Sequence, residues 1–357
     1  MKIPIRNLYY LFCYAWARFP EGGGSVEVGV DDCPDLPNLF ARILINSTNR
    51  LLRRGLDRGY REFEEETRAP RGRMLLGEII KRQSLRRGAV ICAFDELTPN
   101  VLHNRIIKAT ALTLARVRGL TPEHAHELRL IGQRMESVQD LRLTADCFRR
   151  VQLSRNTGQY RPLLKLCELV FHALLPEEKG EGATFAEILK DEVVMSTVFE
   201  EFLRNFYAVH VAETFSVRAE AWPWDGYSLE PGGEGFLPQM MTDITLRSRS
   251  RTIVIDAKFY KRALVEWNGA LKVRSGHLYQ LLAYMEHAAL RAPHLPCDGA
   301  LIYPAVGDPM ALRYRLRGHE VVVRSVDLDR PWQAIHDELL ALPFEFGRGS
   351  ATELAVA

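Results

Sequence analysis

The 357-residue sequence has no pair of cysteines spaced C-x-x-C. Its six cysteines (Cys13, Cys33, Cys92, Cys147, Cys167, Cys297) are scattered, which argues against a structural zinc site or a disulfide framework and for reduced thiols. An excess of one charge is missing too. Lys and Arg number 47 against 45 Asp and Glu, so a histone-like tail is excluded while a local basic groove is not. The longest apolar run near the N-terminus, Leu8 to Trp16, is too short to cross a bilayer. Arg18 and Pro20 follow it directly and spoil a signal-peptide cleavage pattern. The expectation is a soluble, cytoplasmic chain that does not enter a membrane. Repeats and low-complexity tracts are absent as well. What is present is 47% hydrophobic and 26% charged residues, enough to bury a sizeable core. At ~150 residues per domain the length suggests two domains.

Residues 5 to 18 read as a mostly buried helix, ended by Pro20 and Gly22 to Gly24. A second helix is expected over 37 to 54, where Leu39, Ile43, Leu44, Leu51 and Leu52 recur at helical spacing. A polar stretch from Tyr60 to Arg73 follows, then short strands near Met74 to Ile79 and Ala89 to Phe94, and a helix over 101 to 118. A helical stretch from Arg161 to Leu175 closes at Pro176, and Glu177 to Ala183 has linker composition. These signals put a domain change between 151 and 183, set at 160/161, with an α+β domain over 1–160. Beyond it, helices at 191 to 210 and 276 to 291 mix with strands in 236 to 260, Gly299 to Tyr303 and Glu320 to Val326, which makes residues 161–357 an α/β domain.

The chemistry concentrates in Thr242-Asp243-Ile244-Thr245-Leu246 and Thr252-Ile253-Val254-Ile255-Asp256-Ala257-Lys258. Two β-branched segments flank a polar turn centred on Arg249 and Ser250, the pattern of a β-hairpin. Pairing Arg249 with Ser250 makes every opposed pair sum to 499, and Asp243 and Asp256 obey that rule. Directly opposed side chains have Cβ atoms ~5 Å apart, where two carboxylates repel unless a cation intervenes or one is protonated. Magnesium suits such hard oxygen ligands. Lys258, two residues beyond Asp256, shares its face and places an ammonium beside any phosphate bound there. The plain alternative is a solvated hairpin with ordinary charges. Ile253, Val254 and Ile255 oppose it, because a buried strand makes unpaired charge costly. In the helix carrying Val198-Phe199-Glu200-Glu201-Phe202, one of Glu200 and Glu201 could reach toward the metal, or both could belong to a solvated helix face. Gln280 and Tyr284, at i and i+4 on one helix face, could brace the site or meet phosphate, or be polar edges of a packed helix.

Asp followed by D-x-K on the next strand resembles the PD-(D/E)xK nuclease superfamily. The longer strings M-T-D-I-T-L-R and I-V-I-D-A-K-F-Y-K resemble the McrC family, the endonuclease subunits of McrBC systems that restrict DNA with modified cytosine. I-P-I-R-N-L-Y-Y-L-F-C-Y-A-W (3 to 16), L-L-R-R-G-L (51 to 56), N-R-I-I-K (104 to 108), L-Y-Q-L-L-A-Y (278 to 284) and L-I-Y-P (301 to 304) extend the likeness over nearly the whole chain. The resemblance implies a restriction-endonuclease-like domain over 161–357, with a mixed central sheet flanked by helices, and a partner-docking domain over 1–160. It implies Asp243 and Asp256 as ligands for Mg2+, Lys258 as the catalytic lysine, and Glu200 as the supporting acid. The implied partners are a McrB-like AAA+ GTPase hexamer, which the chain would stimulate, and double-stranded DNA with modified cytosine.

No G-x-x-x-x-G-K-[ST] loop occurs, so the chain is not expected to hydrolyse GTP by itself. Lys261, Arg262, Lys272 and Arg274 follow the D-x-K strand and are placed to hold DNA backbone. The clusters Arg50/Arg53/Arg54, Arg68/Arg71/Arg73 and Lys81/Arg82/Arg86/Arg87 read as solvated faces, and His124 and His126 as helix-surface residues. Two other functions fit parts of the pattern. One is a regulatory or scaffold subunit with a vestigial nuclease, which the intact Asp243, Asp256 and Lys258 oppose. The other is a stand-alone RecB-like nuclease, which would cut without GTP.

Overall fold

The computed structural model describes residues 3–16, 33–176, 183–185, 189, 191–260, 264–267, 269–305 and 309–347. Two compact units emerge, and they do not follow a single cut after residue 160. One unit joins residues 1–34 to 187–357, and the other comprises 35–186.

The chain opens with α1 (Ile5–Ala15), nine of whose eleven residues are buried. It is built into the C-terminal unit. Asn7 Nδ2 donates at 2.8 Å to the carbonyls of both Leu328 and Arg330, and Tyr10 stacks on Trp332 with ring centroids 4.3 Å apart. The Tyr14 hydroxyl bonds His210 Nε2 at 2.7 Å, and Asn205 Nδ2 caps the Tyr14 carbonyl at 2.9 Å. An all-round apolar helix needs partners on every side, and this unit supplies them.

Residues 35–186 form an α+β unit. Helix α2 (Leu36–Arg54) starts at Asp35, whose side chain accepts the Asn38 N–H. A three-stranded sheet of order β1-β3-β2 follows, from β1 (Gly59–Thr67), β2 (Arg73–Met74) and, after the short helix α3 (Leu76–Lys81), β3 (Val90–Thr98). Within the stretch read as polar, residues 60–67 belong to strand β1, and most of Met74 to Ile79 is helix rather than strand. Glu62, Glu65 and Glu66 of β1 pair with Arg73, Arg71 and Arg87, so part of the basic clusters is neutralised within the unit. Helices α4 (Leu102–Leu114), α5 (Pro122–Arg134), α6 (Ala145–Arg149) and α7 (Arg161–Ala173) complete the unit, with the small pair β4 (Leu174–Pro176) and β5 (Ala183–Phe185). His124 on α5 is buried against Asn38 at 2.9 Å, not at the helix surface, while His126 is exposed.

The C-terminal unit continues with α8 (Glu192–His210), started by Asp191 accepting the N–H groups of Val193 and Val194. Strand β6 (Ser216–Arg218) and the pair β7 (Ala221–Trp222) and β8 (Met240–Met241) lead to β9 (Ile244–Arg247) and β10 (Thr252–Ala257). The pair β11 (Leu264–Trp267) and β12 (Ala270–Val273), helix α9 (Ser275–Arg291), strands β13 (Cys297–Ala305), β14 (Ala311–Leu316) and β15 (His319–Asp327), and α10 (Trp332–Ala341) follow. The main sheet has six strands in the order β14-β15-β13-β10-β9-β6. It is mixed: β10, β13 and β15 run parallel and the other pairs antiparallel. Every residue of β10 is buried, the pattern of a central strand covered on both faces. Helix α9 lies over the face that carries Val254, Leu301 and Tyr303, to which it adds Leu281, Tyr284 and Met285. Gly299 allows that approach, because a methyl there would overlap the Met285 sulphur and sit 3.1 Å from Leu281. No helix among the described residues is long and apolar enough to cross a membrane, and the six cysteines form no disulfide.

Candidate active site

The hairpin register agrees with the sequence arithmetic. Residues Thr252↔Arg247 through Ile255↔Ile244 are paired, so the next opposed positions are Asp256 and Asp243. The turn is fixed by Ser248, whose hydroxyl accepts the N–H groups of Ser250 and Arg251 at 3.2 and 3.1 Å. Asp243 stands just before β9, and its Oδ2 accepts the Ala257 N–H at 2.8 Å, which pins the carboxylate to the end of β10. The Lys258 N–H continues the parallel ladder by donating to the Ile302 carbonyl at 2.9 Å.

Asp256 is fully buried. Lys258 Nζ lies 3.0 Å from both of its carboxylate oxygens, yet only Oδ1 takes the hydrogen bond, and Oδ2 is left buried without one. Burial, then the Asp243 charge, push the Asp256 carboxyl up to about 7 against the pull of Lys258. Burial likewise raises Asp243, opposed by Lys258, the Ala257 N–H and Arg204. Burial also works against the Lys258 ammonium, but Asp256 and Asp243 outweigh it and hold its pKa above the usual lysine range. Glu200 belongs to the same electrostatic group: burial and Asp243 raise its pKa, and Ser196 Oγ donates to it at 3.2 Å. Three acids thus share one lysine, a set short of positive charge.

That shortage and the buried Asp256 oxygen left without a hydrogen bond fit a bound cation. Among the described residues no three His, Cys, Asp or Glu side chains are gathered tightly enough to hold a metal alone. Two carboxylates suit magnesium nonetheless, since it keeps several waters and is commonly held by one or two carboxylates plus substrate phosphate.

The other expected residues divide. Gln280 and Tyr284 meet each other, Gln280 Nε2 donating to the Tyr284 hydroxyl at 2.9 Å, and Tyr284 is part of the core. Arg274 lies over the Tyr260 ring, 4.8 Å from its centroid, and its Nε is buried without an acceptor. Lys272 is exposed on β12. Lys261 and Arg262 lie outside the described residues. Sequence reasoning missed Arg204, which donates to the Asp243 carbonyl at 3.3 Å, although its i+4 spacing from Glu200 on α8 is a usable signal. It also missed His277 and Tyr303, bonded at 2.8 Å between His277 Nδ1 and the hydroxyl. Burial, then Lys258 and Arg274, push the His277 imidazole down to about 4. No local pattern ties those two residues to Lys258, because they arrive on a later helix and a parallel strand.

A family model described as McrBC 5-methylcytosine restriction system component matches residues 8–304. The chain is similar to the type IV methyl-directed restriction enzyme EcoKMcrBC of Escherichia coli (strain K12), 29% identical over 347 residues that make up 96% of this chain and 98% of that protein. Among solved structures, its fold resembles a chain of the refined half-complex from a tetradecameric assembly of Thermococcus gammatolerans McrB AAA+ hexamers with bound McrC. The TM-score is 0.54 at 18% identity, covering 96% of this chain and 76% of that one.

Proposed function

The chain belongs to the family of McrBC 5-methylcytosine restriction system components, and from that membership we propose that it is the magnesium-dependent DNA endonuclease subunit of such a system, with a site of the PD-(D/E)xK kind. Its substrate is double-stranded DNA with modified cytosine, and its partner is a McrB-like AAA+ GTPase hexamer that it stimulates. The observation supporting this most directly is the convergence of Asp243, Asp256 and Lys258 at the end of a buried strand.

Asp243 and Asp256 would hold the ion, the buried Asp256 Oδ2 having no hydrogen bond of its own. When bound, magnesium supplies Lewis-acid polarisation of the scissile phosphate and a more acidic water. The chain's own residues do the rest. Lys258, whose proton is held firmly by the two aspartates, sets an ammonium where charge grows on the phosphate. Glu200, its pKa raised by burial and Asp243, is suited to orient water at the edge of the cluster. Asp243, Asp256, Lys258 and Glu200 all lie outside residues 35–186. With Leu76, Ile80 and Leu85 exposed there, this unit is the part assigned to partner docking.

The test is plasmid cleavage with magnesium, comparing wild type and Asp256→Ala, each with and without the partner GTPase and GTP. Cutting only by wild type with partner and GTP is the expected result. Cutting at the wild-type rate by Asp256→Ala would remove the site assignment. Cutting by wild type alone would point to an autonomous nuclease, and GTPase stimulation with no cutting to a regulatory subunit.

A further inference from the structure

Helix α9 brings its first turn over the end of β10. Ala257 is in register with Ile302, so the next pair across the parallel ladder is Lys258 and Tyr303, side chains on one face ~5 Å apart. Tyr303 is fully buried, and its hydroxyl meets His277 Nδ1 at 2.8 Å. The imidazole packs against two rings, 5.8 Å from Tyr303 at 30° and 5.2 Å from Tyr260 at 34°, and Arg274 also lies over Tyr260. Among the described residues the buried Tyr303 hydroxyl has no acceptor other than this nitrogen. A buried hydroxyl needs an acceptor, so Tyr303 donates to Nδ1 and the imidazole hydrogen resides on Nε2.

His277 is half-buried, and among the described residues its ring hydrogen-bonds through Nδ1 alone. The structure thus presents a fixed N–H donor beside Lys258 with no acceptor of its own. The charges of Lys258 and Arg274 both act on this imidazole. A fixed neutral donor near an ammonium and a guanidinium suits an oxyanion and suits a cation poorly.

We propose that His277 is a DNA-backbone contact of this site: with Nδ1 occupied by Tyr303, it offers Nε2–H to a non-bridging phosphate oxygen beside Lys258. Tyr303 is then a positioning residue that acts only by fixing which ring nitrogen carries the hydrogen. The contact is uncharged, in contrast to Arg274. This rests on the nuclease reading above.

The experiment is single-turnover cleavage of a plasmid carrying 5-methylcytosine by the full chain assembled with its partner GTPase, GTP and magnesium. Wild type is compared with His277→Ala, His277→Gln, Tyr303→Phe, the His277→Ala/Tyr303→Phe pair, and Asp256→Ala. Losing a hydrogen bond to a charged oxygen should slow His277→Ala by about 10- to 100-fold. His277→Gln, which keeps an N–H of similar reach, should recover most of that loss. Tyr303→Phe should cost less than His277→Ala and nothing further on top of it, because it acts through the same nitrogen. The dependence of cleavage on salt should keep its slope in His277→Ala, whereas removing the Arg274 charge should lessen the slope by about 0.9.

Wild-type rates in His277→Ala would overturn the inference, as would equal losses in His277→Ala and His277→Gln, the result of a packing role. Should His277→Ala fail to fold, His277→Gln and Tyr303→Phe decide: wild-type rate in Tyr303→Phe combined with full loss in His277→Gln overturns it. Asp256→Ala separates the two readings, since wild-type cleavage by that variant removes the nuclease assignment, whereas its inactivity makes any failure at His277 specific to this inference.

Discussion

Replacing Asp256 by asparagine should stabilise the metal-free protein at pH 8 while abolishing cleavage. The carboxyl is held near 7 in the fold against the usual 3.8 by burial and the Asp243 charge. A group whose folded pKa is raised binds its proton more tightly when folded, so stability is greatest below 3.8 and falls as pH rises through the folded value. At ~1.4 kcal/mol per unit, the whole span is worth at most about 4 kcal/mol. Asparagine has no proton to lose and so lacks this slope. Its carbonyl still accepts the Lys258 hydrogen bond, and Asp243 still faces the ammonium. Urea denaturation in EDTA at pH 4.5 and pH 8 is the assay. Titrating groups remote from the site are common to both proteins and cancel in the comparison. Wild type should lose about 2–4 kcal/mol more than Asp256→Asn across that interval, read from midpoints at constant m-value. Parallel pH curves for the two proteins would refute the argument that this carboxylate is strained by its surroundings.

Magnesium should raise the melting temperature of wild type by a few degrees and that of Asp256→Asn by much less, because ligand binding to the folded state stabilises it by mass action; equal shifts by calorimetry would count against Asp256 as a ligand. Asn7→Ala leaves the Leu328 and Arg330 carbonyls without their donor. Chemical denaturation should show a loss of about 2 kcal/mol for the two bonds. Gly299→Ala places a methyl against Met285 and Leu281, and overpacking of this kind should cost about 1–3 kcal/mol in the same assay.

The carboxylate pair was legible because a short turn sets the register of an antiparallel hairpin, so the positions of Asp243 and Asp256 follow from counting outward from Arg249 and Ser250. Lys258 follows from the period of a strand. His277 and Tyr303 were not legible, because β13 runs parallel to β10 across a long connection and no local rule fixes which residues meet. Helix α1 shows the same limit. Its apolar run announces a buried helix, but the residues that bury it, Asn205, His210 and Trp332, arrive far later in the chain. At β1, the glutamates that make the segment read as polar are paired in a strand with Arg71, Arg73 and Arg87, which lie beyond the strand itself. The run Met74 to Ile79 looks like a strand by composition, yet Leu76 to Lys81 closes into a helical turn.

The placement of α1 has a consequence for how the protein comes to be made. The helix is complete by Ala15, but its main partner α8 starts at Glu192. A ribosome adding about 5–20 residues per second takes roughly 10–35 s to bridge that gap. For that time the apolar residues of α1 lack α8 and α10, against which the helix packs, while residues 35–186 already form a compact unit of their own. The nascent chain therefore carries an unsheltered sticky end through half of its own synthesis. Slowing translation, or fusing a bulky tag ahead of Ile3, should lower the yield of the C-terminal unit far more than that of the unit made first.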